Sequence, residues 1–141
     1  MAVFNKFNQF VEDIAEKVHN LGADTLKVAL TNTLPTSADA ILSDITEISA
    51  VNGYTAGGNA TTITSSAQTS GVYKLVLTDV VFTASGGSMG PSRYAVLYNS
   101  TPTSPLKPLI GWYDYGTSIT LLDGETLTVD FDSVNGVLTL T

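Results

Sequence analysis

The sequence has no cysteine, a single histidine and few charged residues. Without cysteine there is no disulfide framework, no thiol nucleophile and no zinc site built on thiolates. A lone histidine leaves no histidine pair for a metal. Charged residues make up 13% of the chain, against about a quarter in ordinary domains, and the net charge is −7. Such a chain lacks the basic face that nucleic acid requires, so we expect no nucleic-acid partner.

Long apolar runs are also missing. No window approaches the roughly 18 apolar residues that a membrane-spanning helix needs. Near the start of the chain, Asn5, Lys6 and Asn8 interrupt the continuous apolar stretch of a secretory signal. We therefore expect no membrane partner and synthesis in the cytoplasm.

Threonine and serine take the place of charge, and these residues favour strands and turns. The length of 141 residues predicts a single domain over 1–141. Its β part, 25–141, contains short runs with period-two alternation, among them Leu26–Thr31, Tyr94–Tyr98 and Thr126–Asp132. The first of these is predicted to be half-buried and the second to be covered on both faces. The pattern predicts a mainly β fold, a jelly-roll-like sandwich or barrel.

Several local features of the β part carry further expectations. Residues 33–60 are predicted to form a long loop with a short helical turn, and loops of this length are often functional. The polar stretch Thr61–Gln68 is predicted to be an edge strand or an arm. A change of phase near Asp79 predicts a bulge or bend. The dipeptide Asp123-Gly124 predicts a hairpin between its flanking strands.

The N-terminal segment 1–22 is predicted to be an amphipathic helix. Its apolar residues recur at spacings of three and four, which places them on one stripe of a helix. The stripe either packs on the chain's own sheet or docks on a partner, and both interpretations are open. Because Phe4 and Phe7 lie so near the terminus, they are candidate partner contacts. The whole stripe consists of Phe4, Phe7, Val11, Ile14, Val18 and Leu21.

No motif is a complete catalytic signature. The glycine-rich stretch 86–90 lacks the Lys-Ser or Lys-Thr and the following helix of a phosphate-binding loop. Asp130 and Asp132 alternate with apolar residues, which is typical of the solvent face of a strand rather than of a calcium loop. The chain has no Gly-x-Ser-x-Gly elbow, and His19 is not predicted to be catalytic. We expect no enzymatic activity, no metal and no cofactor.

One concentration of aromatic residues stands out, at Trp112, Tyr113 and Tyr115, with Asp114 among them. Aromatic rings beside a carboxylate form sugar-binding platforms, and tryptophan and tyrosine also anchor protein interfaces. Ordinary packing inside the domain is the alternative interpretation. The three aromatic residues are therefore candidate partner contacts.

The order of segments along the chain is distinctive. The amphipathic segment is followed by Thr25–Asn32, Leu34–Thr36, Leu42–Ile48 and Asn52–Gly58, and Leu121–Phe131 lies near the end of the sequence. This order resembles that of small virion structural proteins of tailed bacteriophages. Within that group it is most similar to head decoration, or cement, proteins, which sit on the outside of the capsid lattice. The resemblance covers most of the chain.

The resemblance implies a jelly-roll-like β domain that associates with itself and docks across capsomer boundaries, with no catalytic residues. The implied partners are the major capsid protein and copies of this chain. The implied location is the capsid surface of the virion, after assembly in the host bacterial cytoplasm. In this setting, Asn52 and Tyr54 are candidate contacts, with Tyr54 as an aromatic anchor. Gly57 and Gly58 would permit close backbone approach.

A second function from another class is also open. A tail- or fibre-associated module would bind carbohydrate or a receptor through the aromatic cluster at 112–115. Sugar binding there would change the fluorescence of Trp112, whereas capsid binding does not require it. The two functions therefore predict different contact residues.

Overall fold

The computed structural model describes residues 2–141 and is mainly β. Its strands are β1 Phe4–Lys6, β2 Leu26–Thr31, β3 Asn59–Ala60, β4 Ile63–Thr69, β5 Val72–Leu77, β6 Val80–Thr83, β7 Met89–Asn99, β8 Leu109–Leu121, β9 Thr126–Val129 and β10 Leu138–Leu140. Helix α1 spans Asn8–Ala15, and a 3-10 turn spans Leu42–Asp44. The strands form an antiparallel five-stranded sheet β1-β8-β7-β2-β3, a three-stranded sheet β10-β5-β4 and a two-stranded sheet β6-β9. The predicted mainly β class is confirmed, and the described sheets do not close into a barrel.

The central strands of the five-stranded sheet are buried on both faces. On one face, Val28 and Leu30 join a core shared with the two smaller sheets. On the other face, Ala29 belongs to a second core, which the segment around the 3-10 turn covers. The prediction of a half-buried β2 is therefore wrong, while the two covered faces predicted for Tyr94–Tyr98 are confirmed. The second core consists of Phe7, Ala29, Leu42, Ile45, Tyr94, Val96, Tyr98, Leu109 and Trp112.

The predicted helix over 1–22 is too long at both ends, and residue 1 lies outside the described residues. Phe4–Lys6 is a strand that pairs antiparallel with β8, where Phe4 lies opposite Tyr113. The edge of β8 offers backbone partners that a helical spacing of side chains does not reveal. Gly111 on β8 makes room for the ring, because a Cβ there would lie 2.3 Å from Cζ of Phe4.

Because the helix is shorter than predicted, the residues of the predicted apolar stripe do not share one face. Helix α1 buries Phe10, whereas Val11, a member of the predicted stripe, is 50% exposed. Phe7 precedes the helix in an extended conformation. The helix ends at Ala15, before Lys17 adopts a left-handed φ of 68°. The predicted end of the helix at residue 22 is therefore wrong.

The loop predicted at 33–60 is held against the five-stranded sheet. The predicted helical turn is confirmed as the 3-10 turn Leu42–Asp44. Single β-bridges join Thr31 to Glu47 and Ile41 to Pro108. The segment ends in β3, which pairs with β2. The loop therefore covers the second core with Leu42 and Ile45, and it joins the other core through Tyr54.

Turns and edges of the smaller sheets fit the sequence in part. The polar stretch predicted as an edge strand is confirmed as β4. Near Asp79, where a bulge or bend is predicted, β5 ends and the chain continues as β6 in a different sheet. The hairpin predicted at Asp123-Gly124 is wrong. A turn does form there, but β8 pairs with β1 and β7 while β9 pairs with β6. That turn passes the chain from one sheet to another.

Candidate interaction surface

The aromatic cluster at 112–115 does not form a platform. Successive residues of a strand point to opposite faces, so β8 sends Trp112 and Tyr113 into different cores. Trp112 packs on Phe7 with ring centroids 4.6 Å apart, and Tyr113 packs on Phe4 at 5.2 Å. Trp112 and Tyr113 are buried, and Tyr115 is half-buried. The sugar-binding alternative therefore lacks an exposed pair of rings here.

The carboxylate of this cluster is already engaged. Asp114 accepts hydrogen bonds from Nε and Nη2 of Arg93, at 2.8 and 3.1 Å. The Arg93 hydrogen bonds, with a further one from the backbone of Gly116, lower the pKa of Asp114. The two-point pairing holds β7 and β8 together at the surface. Arg93, a residue of the same chain, is therefore the partner of this carboxylate.

Tyr54 is not the exposed aromatic anchor that the sequence predicts. Its side chain is 3% exposed and belongs to the core that the five-stranded sheet shares with the two smaller sheets. The Tyr54 hydroxyl donates to Oε1 of Glu47 at 2.6 Å and accepts from the backbone N–H of Leu30 at 3.0 Å. Burial raises the pKa of Tyr54, and the hydrogen bond to Glu47 raises it further. Tyr54 therefore stabilises its own loop on β2.

The two glycines of this loop do make a close backbone approach, but within the chain. Gly58 has a φ of +69°, and a Cβ there would lie 1.7 Å from the carbonyl oxygen of Val28. The backbone N–H of Gly57 donates to Oε1 of Glu47 at 2.7 Å, and its carbonyl accepts from the hydroxyl of Tyr98 at 2.6 Å. Burial and, to a smaller extent, the nearby Glu47 charge together raise the pKa of Tyr98 to about 12. The network locks the loop to the sheet.

Asn52 lies at a surface of a different kind, built from three loops. We call it the three-loop surface; it comprises residues 49–53, 84–88 and 122–125. Asn52 joins the first loop to the second, because its Nδ2 donates to the carbonyl of Ser88 at 2.8 Å. Its own carbonyl accepts from the N–H of Ser85 at 2.9 Å. The sequence predicted Asn52 as a contact, and the structure leaves it partly accessible.

Hydrogen bonds also join the second loop to the third. The N–H of Ala84 donates to the carbonyl of Glu125 at 2.9 Å, and the carbonyl of Ala84 accepts from Gly124 at 2.8 Å. The N–H of Gly86 donates to Oδ1 of Asp123 at 2.9 Å. The three loops are thus tied to one another by main-chain groups. A surface held in this way presents its side chains in fixed positions.

Two large apolar side chains are exposed on the three-loop surface. Val51 is 51% exposed and Leu122 is 59% exposed. Asp123 and Glu125 also lie at the surface there, so its charge is negative. Sequence reasoning missed both apolar residues, although a shared signal was present. Each precedes a turn dipeptide, Asn52-Gly53 or Asp123-Gly124, and an apolar residue next to such a turn is placed at a loop tip.

A buried polar cluster lies next to α1, where Phe10 packs on His19. His19 is 6% exposed, and its Nδ1 lies 3.1 Å from Nδ2 of Asn99. The same amide nitrogen lies 2.7 Å from Oδ2 of Asp24. It therefore donates to both, and the neutral imidazole carries its proton on Nε2. Within residues 2–141, that Nε2 and Oδ2 of Asp13 are buried side-chain atoms without a hydrogen-bond partner.

This cluster predicts a pH-dependent stability. Burial lowers the pKa of His19 below 6.5, although the carboxylates of Asp13 and Asp24 act in the opposite direction. As pH falls below about 6.5, the unfolded chain takes up a proton that the folded chain does not. We expect the free energy of unfolding to decrease there, by at most about 1.4 kcal/mol per pH unit. Urea denaturation at several pH values measures it.

The matched variant is His19→Gln, which keeps a polar side chain and removes the titrating ring. Its free energy of unfolding should be flat across the same range. The carboxyl groups of Asp44, Asp114 and Asp132 have pKa values lowered by hydrogen bonds, so their contribution is lost only as pH falls below 3.8. Equal pH slopes for the variant and the natural chain near pH 6 would contradict the assignment to His19.

Neither metal ligands nor membrane spans mark a further site in the described part of the chain. No three His, Asp or Glu side chains within residues 2–141 are grouped so that they could hold a metal ion. In the same range, no helix combines the length and apolar character that crossing a membrane requires. Comparisons with protein-family models, curated proteins and solved structures gave no match. The three-loop surface is the candidate for a functional contact, on the strength of its hydrogen bonds and its exposed apolar residues.

Proposed function

We propose that the chain is a non-enzymatic structural protein of a tailed-phage virion, which binds the outside of the capsid lattice and stabilises it. The order of sequence segments supports this function, and so does the three-loop surface. The partners in the proposal are the major capsid protein and further copies of the chain. A jelly-roll-like sandwich is part of the same proposal. It is supported by the core that the five-stranded sheet shares with the two smaller sheets.

The observation that carries the proposal is the rigid three-loop surface with its exposed apolar side chains. Because hydrogen bonds already join the loops, little conformational entropy is lost when they dock. Val51 and Leu122 gain from leaving water on contact with another apolar surface. Asp123 and Glu125 are exposed in the same loop as Leu122, so the matching capsid face should be neutral or basic there.

Stabilisation of the shell follows from mass action. A protein that binds the assembled lattice and not the dissociated subunits shifts the equilibrium towards the assembled shell. Each contact can be weak, since a copy that touches two capsomers makes its second contact at a high effective concentration. Sparse charge suits this role, because an apolar contact depends little on ionic strength. No catalytic group is needed.

Two substitutions on the three-loop surface test the contact. Val51→Glu and Leu122→Glu, combined, place two carboxylates where apolar side chains would be buried. The charges would have to lose their hydration on docking, so we expect the dissociation constant for capsids to rise at least about tenfold. Co-sedimentation with capsids assembled without this protein measures it. The fold should persist, because both side chains are exposed at present.

The matched control adds the same charge elsewhere. Val3 and Val134 are each 73% exposed and lie outside the three-loop surface. The double variant Val3→Glu with Val134→Glu should bind capsids like the natural chain. If both double variants bind equally well, the three-loop surface is not the contact. If the natural chain itself does not bind capsids, the proposed function is wrong.

A further inference from the structure

The three-stranded sheet has an open edge, and we infer that a second copy of this chain binds there. In this pairing, β4 of one copy lies antiparallel to β4 of the other, and the two sheets become one continuous sheet. The inference deepens the self-association within the proposed function by assigning it to a surface. It can fail while capsid binding holds, because it concerns a different part of the molecule.

The hairpin that joins β4 to β5 determines which peptide groups face outward. Its turn is Ser70-Gly71, with φ values of 51° and 83°. In a two-residue hairpin the residues flanking the turn are hydrogen-bonded to each other, and bonded pairs then alternate along the strands. Thr69 therefore bonds to β5, as does every second residue before it. Ser66 and Gln68 direct their N–H and C=O groups away from β5.

No other described segment uses these groups. The backbone hydrogen bonds between elements within residues 2–141 include none to Ser66 or Gln68. Their peptide groups are therefore free to pair with another strand. An unpaired strand edge of this kind is a template for strand addition.

β4 differs from the other outer strands of the three sheets. It has seven residues, whereas β1 and β10 have three, β3 has two, and β6 and β9 have four. Proteins protect their edges by keeping them short, or by placing charges or proline on them. β4 contains neither a charged residue nor proline. β3, β6, β9 and β10 also lack charge and proline, so β4 stands out among the outer strands by its length.

The distribution of charge favours a second copy as the occupant. The chain has a net charge of −7, so copies repel one another over most of their surface. Residues 48–73 contain no charged residue, and β4 lies within this stretch. Antiparallel pairing of a strand with itself sets the residue on the two-fold axis opposite its own copy, and a charge on or near the axis would lie close to a like charge. β4 avoids that repulsion.

The outward groups also define the register of the pair. A two-fold axis at Ala67 sets Ser66 of each copy opposite Gln68 of the other. Both residues direct their peptide groups outward, so four N–H···O bonds form across the axis. The two Ala67 side chains then lie directly opposite each other, as a pair without hydrogen bonds. Ala67 is exposed and lies opposite Lys74 of β5, so each variant's free energy of unfolding is measured beside its dimerisation.

Substitutions at Ala67 test the pairing through charge. Ala67→Lys and Ala67→Glu each place like charges opposite each other at the axis, so each should raise the dimer dissociation constant at least about tenfold. An equimolar mixture of the two variants should restore the dimer as a mixed pair. Sedimentation equilibrium over a range of protein concentrations measures all three. Thr139→Lys, on the opposite edge strand β10, is the control and should dimerise like the natural chain.

The outcomes separate this inference from the proposed function. A natural chain that stays monomeric up to its highest soluble concentration would overturn β4 pairing, as would variants at Ala67 that dimerise normally. Failure of the mixture to restore the dimer would also contradict it, because charge rescue requires the two positions to meet. Capsid binding by the same proteins is measured separately, and its loss in the natural chain would overturn the proposed function instead.

Discussion

Replacing Phe7 with alanine should lower the free energy of unfolding by about 3–5 kcal/mol, as is usual when a buried aromatic ring is truncated. Phe7 is 0% exposed and packs on Trp112 in the second core. The removed ring leaves a cavity that the surrounding sheet cannot close, because the strands beneath it are hydrogen-bonded on both sides. Urea denaturation of the natural chain and the variant measures the difference.

Val11 provides the control for this prediction. The helical spacing of the sequence puts Phe7 and Val11 on the same stripe, yet the structure leaves Val11 50% exposed. Val11→Ala should change the free energy of unfolding by no more than about 0.5 kcal/mol. Similar losses for both variants would favour a continuous amphipathic helix and would contradict the strand at Phe4–Lys6.

Replacing Gly58 with alanine should lower the free energy of unfolding by about 2–5 kcal/mol. The left-handed φ of +69° contributes about 1–2 kcal/mol for any residue with a Cβ. Overpacking contributes about 1–3 kcal/mol more, because the Cβ would overlap the carbonyl oxygen of Val28 and force β3 away from β2. Thermal or urea denaturation measures the effect.

An alanine variant at Gly71 measures the conformational cost without the overpacking cost. Gly71 has a φ of +83°, and a Cβ there would meet no atom within 4 Å. Gly71→Ala should therefore show only the conformational cost of about 1–2 kcal/mol. If the two alanine variants lose the same stability, the close approach of Gly58 to β2 is wrong.

Strands with regular alternation could be predicted from the sequence, whereas their partners could not. β2 begins and ends where its alternating residues do, at Leu26 and Thr31. The N-terminal segment shows the limit of such patterns. Its helical spacing is real, but Phe4–Lys6 pairs antiparallel with β8, where Phe4 lies opposite Tyr113. That partner is distant in the chain, and no local pattern reveals it.

The candidate site shows the same division between local and long-range information. Asn52 could be predicted as a surface residue because an Asn-Gly dipeptide marks a loop tip. Tyr54, two residues later, is predicted as an exposed anchor but is buried, because its hydroxyl reaches Leu30 and Glu47. The three-loop surface also needs Leu122, whose turn meets the other loops only in the folded chain.

Calorimetry of capsid shells tests the central claim most directly. Shells assembled without this protein would be heated alone and with increasing amounts of the purified chain. If the chain binds and stabilises the lattice, the disruption temperature should rise with occupancy and then level off at saturation. The Val51→Glu, Leu122→Glu variant should need a higher concentration for the same rise. A disruption temperature that stays constant at every concentration of the natural chain would contradict the proposed function.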